Sequence, residues 1–306
     1  MTSNRAERLL NALDLKQIEE NLYLGENEPE NGERIFGGQV LAQASMAAYR
    51  TITDLDTHSM HGYFLRPGNP SKPVLYEVER IRDGRSFSTR RVVAIQSGQA
   101  IFNMDISFQA AEIGLEHSLP MPNVPLPSEL QEDRKVAQRL GGAEADPRLS
   151  TIPKLERPFE LRSVFELGTP AWAAARAWNP VWVRFMAPVT EAVGPSQPIS
   201  RCLLASASDM GLVSTGYLPH QHEIDRSQLQ LASLDHSLWI HRPVPIDQWL
   251  LFHKRTSIAQ GARALVHADF FSSDGELIAS ATQEGLLRAK GQFFHNVYRL
   301  REMRLG

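Results

Sequence analysis

The sequence predicts an α+β fold built twice over, each half a long helix wrapped by an antiparallel sheet. Three observations predict it. The chain repeats itself: the pairs Arg66-Pro67 and Arg242-Pro243 stand 176 residues apart, and the turns Ser97-Gly98 and Asp274-Gly275 one residue further apart than that. Each half opens on a stretch of small helix formers. Each then continues as strands of alternating polarity separated by turn residues.

In the first half, "FGGQVLAQASMAAYR" (36 to 50) begins on glycines and sets Val40, Ala44, Ala47 and Ala48 on one face and Gln39 and Gln43 on another. Side chains this small let a sheet close tightly around the helix. "PVLYEVERIR" alternates Val74, Tyr76 and Val78 against Glu77 and Glu79, then turns at Asp83-Gly84. "RSFSTRRVVAIQ" and "QAIFNMDISFQ" continue the meander, the second with Ala100, Phe102, Met104, Ile106 and Phe108 on its core face. In the second half, "LASASDMGLVST" (204 to 215) takes the helix-start position. "QLASLDHSLWIHRP", "WLLFHKRTSIAQ", "GARALVHADFFS" and "ELIASATQEGLLR" then supply the strands. Between the halves runs a segment rich in proline and charge, with a short helix expected near residues 128 to 140. The boundaries expected are 1–115 for the first repeat, 116–160 for the linker and 161–306 for the second repeat. A sheet around one helix, made twice, is a double hotdog. The two halves are expected to join edge to edge in one sheet, and duplication leaves each free to diverge.

Composition restricts the function. At 306 residues, with 42% hydrophobic and 22% charged residues, the chain has the make-up of a globular protein with two cores. A net charge of −3 supplies no basic field for nucleic acid. Cys202 is the only cysteine, which excludes an internal disulfide and fits a reducing compartment. "MTSNRAERLLNALDLKQIEE" reads as an amphipathic helix rather than a signal peptide. "PAWAAARAWNPVWV" is broken by Arg176, Asn179 and two prolines, so no membrane insertion is expected. The ending "REMRLG" is no peroxisomal address, and a cytoplasmic location is the expectation.

Strand phase gives the sharpest candidate site residue. In "ELIASATQEGLLR", Leu277, Ala279, Ala281, Gln283 and Gly285 share one face, so Gln283 stands on the apolar side where the first half has Ile106. A buried amide costs a few kcal/mol unless hydrogen-bonded, so it is either satisfied by backbone or functional. Asp209, in "SASDMGL", is either an N-cap or a carboxylate holding a water near free helix-start N–H groups. Ser233 is a hydroxyl just before the strand carrying Asp235 and His236. His58, His61, His236 and His241 have no metal-ligand spacing and read as scaffold, and nothing forms a G-x-S-x-G elbow. Arg80, Arg82, Arg85, Arg90 and Arg91 read as the solvated rim of a hairpin or as phosphate contacts.

Six motifs in order, "RIFGGQVLAQA" (34 to 44), "HSMHGYFLRPG" (58 to 68), "RDGRSFSTRRVVAIQ" (82 to 96), "FQAAEIGLEH" (108 to 117), "ASLDHSLWIHRP" (232 to 243) and "DGELIASATQEGLLR" (274 to 288), resemble the acyl-CoA thioesterase II family of double-hotdog enzymes over nearly the full length. The resemblance implies hydrolysis of fatty acyl-CoA to free acid and CoA without a cofactor, in a chain that forms a dimer or tetramer or neither. It implies a water activated by an aspartate, a Ser or Thr and a glutamine, which map to Asp209, Ser233 and Gln283. Gly38, Gln39, His58, Arg90 and Arg91 are the accompanying candidates for substrate contact. Hotdog folds also host enoyl-CoA hydratases and dehydratases, and a non-catalytic acyl-CoA-binding module is the remaining alternative.

Overall fold

A computed structural model describes residues 5–27, 34–141, 157–190 and 197–290 of the chain. The first half contains α1 (Arg5–Ala12), β1 (Lys16–Glu19), β2 (Leu22–Gly25), α2 (Gly37–Tyr49), β3 (Asp56–Phe64), β4 (Val74–Arg82), β5 (Phe87–Gln96) and β6 (Gln99–Gln109). After α3 (Asp133–Arg139), the second half contains β7 (Phe159–Ser163), α4 (Pro170–Ala173), β8 (Trp178–Phe185), α5 (Pro198–Ser208), α6 (Leu212–Tyr217), β9 (Leu229–Ser233), β10 (Asp235–Ile240), β11 (Leu250–Gln260), β12 (Arg263–Ser272) and β13 (Leu277–Ala289).

All strands join one sheet, in the order β1-β2-β4-β5-β6-β3-β10-β13-β12-β11-β8-β7, with β9 also paired to β13. The order reads the same from either end when the halves are exchanged: β3 answers β10, β6 answers β13, β5 answers β12 and β4 answers β11. The halves meet where β3 and β10 pair antiparallel, with His61 opposite Ser237. These two residues are 176 apart, the offset between the repeats themselves, so the pseudo-twofold axis passes through this pair. Their side chains touch there, Nδ1 to Oγ at 3.0 Å. The expected double hotdog, one sheet carrying two helices, is what the chain forms.

Helix α2 is enclosed by the first half of the sheet. In the second half α5 lies against β10 and β3 at the centre, and the short α6 packs on β11, β12 and β13. On α2, every residue from Gly38 to Tyr49 is buried, with Tyr76, Phe102, Met104 and Phe108 of the strands also in the core. The expected alternation on β4 and β6 is realised. Helices α2 and α5 pack against each other across the molecule. Small residues permit this approach, and Gly38 most of all: a Cβ there would stand 2.4 Å from the backbone oxygen of Ser206 on α5. Backbone cannot step aside as a side-chain tip can. Gly38→Ala is therefore expected to cost about 1–3 kcal/mol of stability, read as a lower urea midpoint at unchanged m. An unchanged midpoint would mean that the helices separate freely.

Two sequence expectations need correction, one for the N-terminal stretch and one for Asp209, and two further segments acquire a structural role. The N-terminal amphipathic stretch is helical only to Ala12, and its second part is the edge strand β1. The "AWNPVWV" segment, read only as too interrupted for a membrane span, supplies β8; Pro180 lies within it, opposite His253 of β11. Residues 121–130 are not a free connector. Trp182 of β8 is fully buried and donates to the Pro125 carbonyl at 2.9 Å, and Arg162 of β7 donates to the Pro127 carbonyl at 2.6 Å, so this stretch covers the outer face of the second half. The second correction concerns Asp209, which does not start a helix. It is the C-cap of α5, and α6 begins only after Gly211, whose φ of 72° lets the chain turn between them.

Candidate active site

The geometry around Asp209 begins with β13. This strand pairs along one edge with β10 and, further on, with β9, and the edge is broken between them at Leu234. Asp235 spans the break, its carboxylate accepting the Glu284 N–H at 2.6 Å. The break leaves Ser233 at the end of β9, opposite Gly285 and so beside Gln283. Helix α5, lying against β10 and β3, ends with Asp209 facing both side chains.

Asp209 Oδ1 accepts hydrogen bonds from Gln283 Nε2 at 2.7 Å and from Ser233 Oγ at 3.2 Å. The Gly38 backbone N–H, in the first turn of α2, also bonds the carboxylate. The three expected catalytic residues are thus one cluster, and a helix start does serve Asp209, but it belongs to the other half. The carboxyl pKa is pushed up to about 6 by burial, against the pull of those three hydrogen bonds. The negative end of α5 acts in the same direction as burial, and the positive end of α2 opposes it. Gly37 matters for the same contact: a Cβ there would lie 2.7 Å from Asp209 Oδ2.

His236, read from the sequence as scaffold, sets the orientation of the glutamine. It is fully buried, with Nε2 2.8 Å from Ser208 Oγ and Nδ1 3.1 Å from Gln283 Nε2. Ser208 spends its only proton on the Ala205 carbonyl at 2.8 Å, so it must accept from Nε2–H of the imidazole. Nδ1 is then bare and accepts from the glutamine. Both amide protons of Gln283 are committed, one to Asp209 and one to His236. This fixes which end of the amide is which, and its Oε1 is left buried with no hydrogen-bond partner. Burial holds the imidazole pKa down at about 3, so His236 stays neutral.

Of the remaining candidates only Gln39 comes near, lining a cavity with Phe36, Met210 and Gly211; His58, Arg90 and Arg91 lie elsewhere. Gln39 is buried on α2 and donates to Asn27 Oδ1 at 3.0 Å. His58, on β3, sits 2.8 Å from Ser107 Oγ and edge-on to Phe87. Arg91 is exposed and paired with Asp105 at 2.8 Å. Arg90 corrects the reading of that cluster as a solvated rim. It is 1% exposed and its donors go to Thr51, Asp83 and the carbonyls of Arg82 and Thr89, so it holds the end of the hairpin and offers nothing to a phosphate.

The chain resembles known proteins over nearly its whole length. Residues 27–109 match a family profile described as acyl-CoA thioesterase N-terminal domain, and residues 172–286 match one described as acyl-CoA thioesterase. Acyl-CoA thioesterase 2 of Haemophilus influenzae is 34% identical over 298 residues, 94% of this chain and 99% of that protein. Human acyl-coenzyme A thioesterase 8 is 35% identical over 297 residues, 94% of this chain and 91% of that protein. The crystal structure of acyl-CoA thioesterase II TesB2 from Mycobacterium marinum superposes with a TM-score of 0.74 at 34% identity, covering 94% of this chain and 99% of that one. With both profiles placed in order along one sheet, and relatives this similar over almost the whole length, the chain belongs to the acyl-CoA thioesterase family.

Proposed function

We propose that Asp209 is the general base of acyl-CoA hydrolysis and that Gln283 Oε1 and Asp209 together hold the attacking water. The chain is an acyl-CoA thioester hydrolase, and the observation that carries the assignment of residues is the unpartnered Oε1 of a fully buried glutamine beside a buried carboxylate. Leaving such an acceptor empty costs about 1–3 kcal/mol. A water donating one proton to Oε1 and the other to Asp209 removes that cost. With both protons so held, its lone pairs can only point away, toward a carbonyl carbon placed over the pair.

Attack then transfers the water's proton to Asp209 as the C–O bond forms. The carbonyl oxygen becomes an oxyanion, for which the first N–H of α2, at Gly37, is the donor left over by the helix. Collapse breaks the C–S bond, and the proton held by Asp209 leaves with the CoA sulfur. A thiol of pKa about 8.5 is a good leaving group, so little acid assistance is needed. Ser233, whose proton is given to Asp209, fixes the carboxylate's rotamer. The Gly38 N–H does the same from α2.

A hydratase or dehydratase would need an acid and a base at the substrate's β carbon. His236 cannot supply either, being neutral with both ring nitrogens engaged. The cytoplasmic setting belongs to the same proposal and rests on Cys202, a lone buried thiol of the kind a reducing compartment leaves. The division into repeats at 1–115 and 161–306 around a linker is proposed with it. Release of CoA thiol from saturated acyl-CoAs of four to eighteen carbons is the test. Thiol release with no hydration of crotonyl-CoA is the expected result. Hydration without thiol release would replace the reading by a hydratase, and binding without either reaction by a binding module.

A further inference from the structure

Between β6 and Met121 the chain leaves the body of the molecule. Residues 111–120, AEIGLEHSLP, form no helix or strand, and every one of them is exposed. Ile113 and Leu115 are each 104% exposed and Leu119 69%, so three aliphatic side chains stand about as open to water as in an extended peptide. A Cβ placed on Gly114, between the first two, would meet nothing within 4 Å. This arm is nonetheless fixed at both ends. The Ala110 N–H donates to the Ser86 carbonyl at 2.9 Å, and Met121 packs on the buried Trp182, Leu251 and Phe271. Aliphatic residues held in place with nothing of their own chain against them point to a surface outside it.

The hairpin from which the arm springs has the matching character. At its tip, between β4 and β5, Ile81 and Phe87 are exposed, with Arg80, Arg82 and Arg85 around them. Asp83, the one acid of the tip, is taken by Arg90. Among the described residues Arg82 and Arg85 form no salt bridge. The arm carries the opposite sign: Glu112 forms no salt bridge among the described residues, and Glu116 has only Arg242, at 3.8 Å. Apolar and acidic on the arm, apolar and basic on the hairpin, the two surfaces are complementary, and within one chain they lie side by side without covering each other. A twofold axis beside the root of the arm would set each arm on the other copy's hairpin, the same contact made twice.

We propose that the chain pairs with a second copy of itself through this surface, the 111–120 arm of each copy lying on the β4–β5 hairpin tip of the other. The aliphatic side chains of the arm then meet Ile81 and Phe87, and its glutamates meet the arginines. The pairing stands apart from the chemistry. Helix α2 runs from Gly37, beside Asp209, to Tyr49, and Arg90 of β5 bonds the Thr51 hydroxyl just beyond that end at 2.7 Å, so about 20 Å of helix separates hairpin from active site.

Mass in solution, by sedimentation velocity at micromolar concentration, tests the pairing. The wild type is expected at twice the chain mass and Ile113→Glu/Leu115→Glu at half of the wild-type value, its association weakened by about 100-fold or more. Both side chains are bare in the single chain, so far-UV circular dichroism and kcat should stay at wild-type values. Charge exchange then identifies the surface they meet. Glu112→Arg/Glu116→Arg makes arm and hairpin both basic, and Arg82→Glu/Arg85→Glu makes both acidic; each alone is expected to associate about 10-fold more weakly. An equimolar mixture of the two should pair as a heterodimer, because every arm then faces a hairpin of opposite sign. A wild type of single chain mass would overturn the proposal and leave the arm to a different partner. A dimer that survives Ile113→Glu/Leu115→Glu would overturn it as well, and a mixture that does not pair would remove the hairpin as the arm's seat. If no acyl-CoA is hydrolysed, the thioesterase reading fails by itself, and the masses, with circular dichroism reporting the fold, still decide the pairing.

Discussion

Asp209→Asn is expected to lower kcat by about 10²- to 10⁴-fold with little change in KM, the range a general base contributes, and at the same time to stabilise the protein at neutral pH. The second effect follows from the first. Asp209 has a folded pKa of about 6, above the unfolded carboxyl value of about 3.9, because burial penalises its charge. As pH rises from 4, the unfolded chain gives up this proton before the folded one does. Stability tied to Asp209 is therefore complete below pH 4 and is lost as pH rises through about 6. Two units correspond to about 2–3 kcal/mol at the plateau. Asparagine never ionises and so avoids that loss, but its amide must turn two protons toward groups that are themselves donors, Gly38 N–H or Ser233 and Gln283. That offsets about 1 kcal/mol. The two stability curves should consequently cross: the variant less stable than the wild type at pH 4 and more stable at pH 7.5, by urea denaturation. The wild-type kcat should fall tenfold per unit below pH 6. Asparagine that retains the rate would end the assignment of the base, and a variant less stable at every pH would end the claim that a buried charge is being held.

How much of this was legible in the sequence depends on the distance over which each feature is encoded. Gln283 could be read from alternation along one strand and from the repeat, since both are local patterns and the Ile106 counterpart lies at a fixed offset. The pseudo-twofold pairing of His61 with Ser237 is encoded in the same offset. Asp209 was legible as a residue and misplaced in structure. "SASDMGL" has the polar-then-apolar order of a helix start, whereas the start of α5 is Pro198 and its end is marked by Gly211 beyond the cap. His236 carried no local signal at all. Its partners, Ser208 and Gln283, are 28 and 47 residues away, and only the closed sheet makes them neighbours. Strand β8 was hidden by Pro180, because a proline in a short apolar run reads as a break unless its missing donor has no use at that position. The burial of Arg90 was hidden for the opposite reason. An arginine among four others looks solvated until the hairpin end folds back over it.

The network around His236 makes Gln283→Leu the more informative of the two active-site substitutions, since it converts the site toward what the first half already has at Ile106. The side chain fits the same space without an amide. Three consequences should appear together. The water loses one of the two acceptors that orient it, so kcat should fall by about 10²-fold, with KM near the wild-type value. Asp209 loses the 2.7 Å hydrogen bond that does most to draw its pKa down, so the acid limb of the pH–rate profile should move to higher pH than the wild type's limb near pH 6. Stability should change little, because the unpartnered Oε1 disappears while His236 Nδ1 becomes an unpartnered acceptor in its place. A glutamine that merely filled the core would give a different set: lower stability, no shift of the limb, and kcat lost only in proportion to unfolded protein. The pH displacement is what separates the two, because it requires the amide to bond the base in the working enzyme. A limb that stays at the wild-type position, with kcat intact, would mean that the water is held by Asp209 and Ser233 alone and that the amide was retained for His236, not for catalysis.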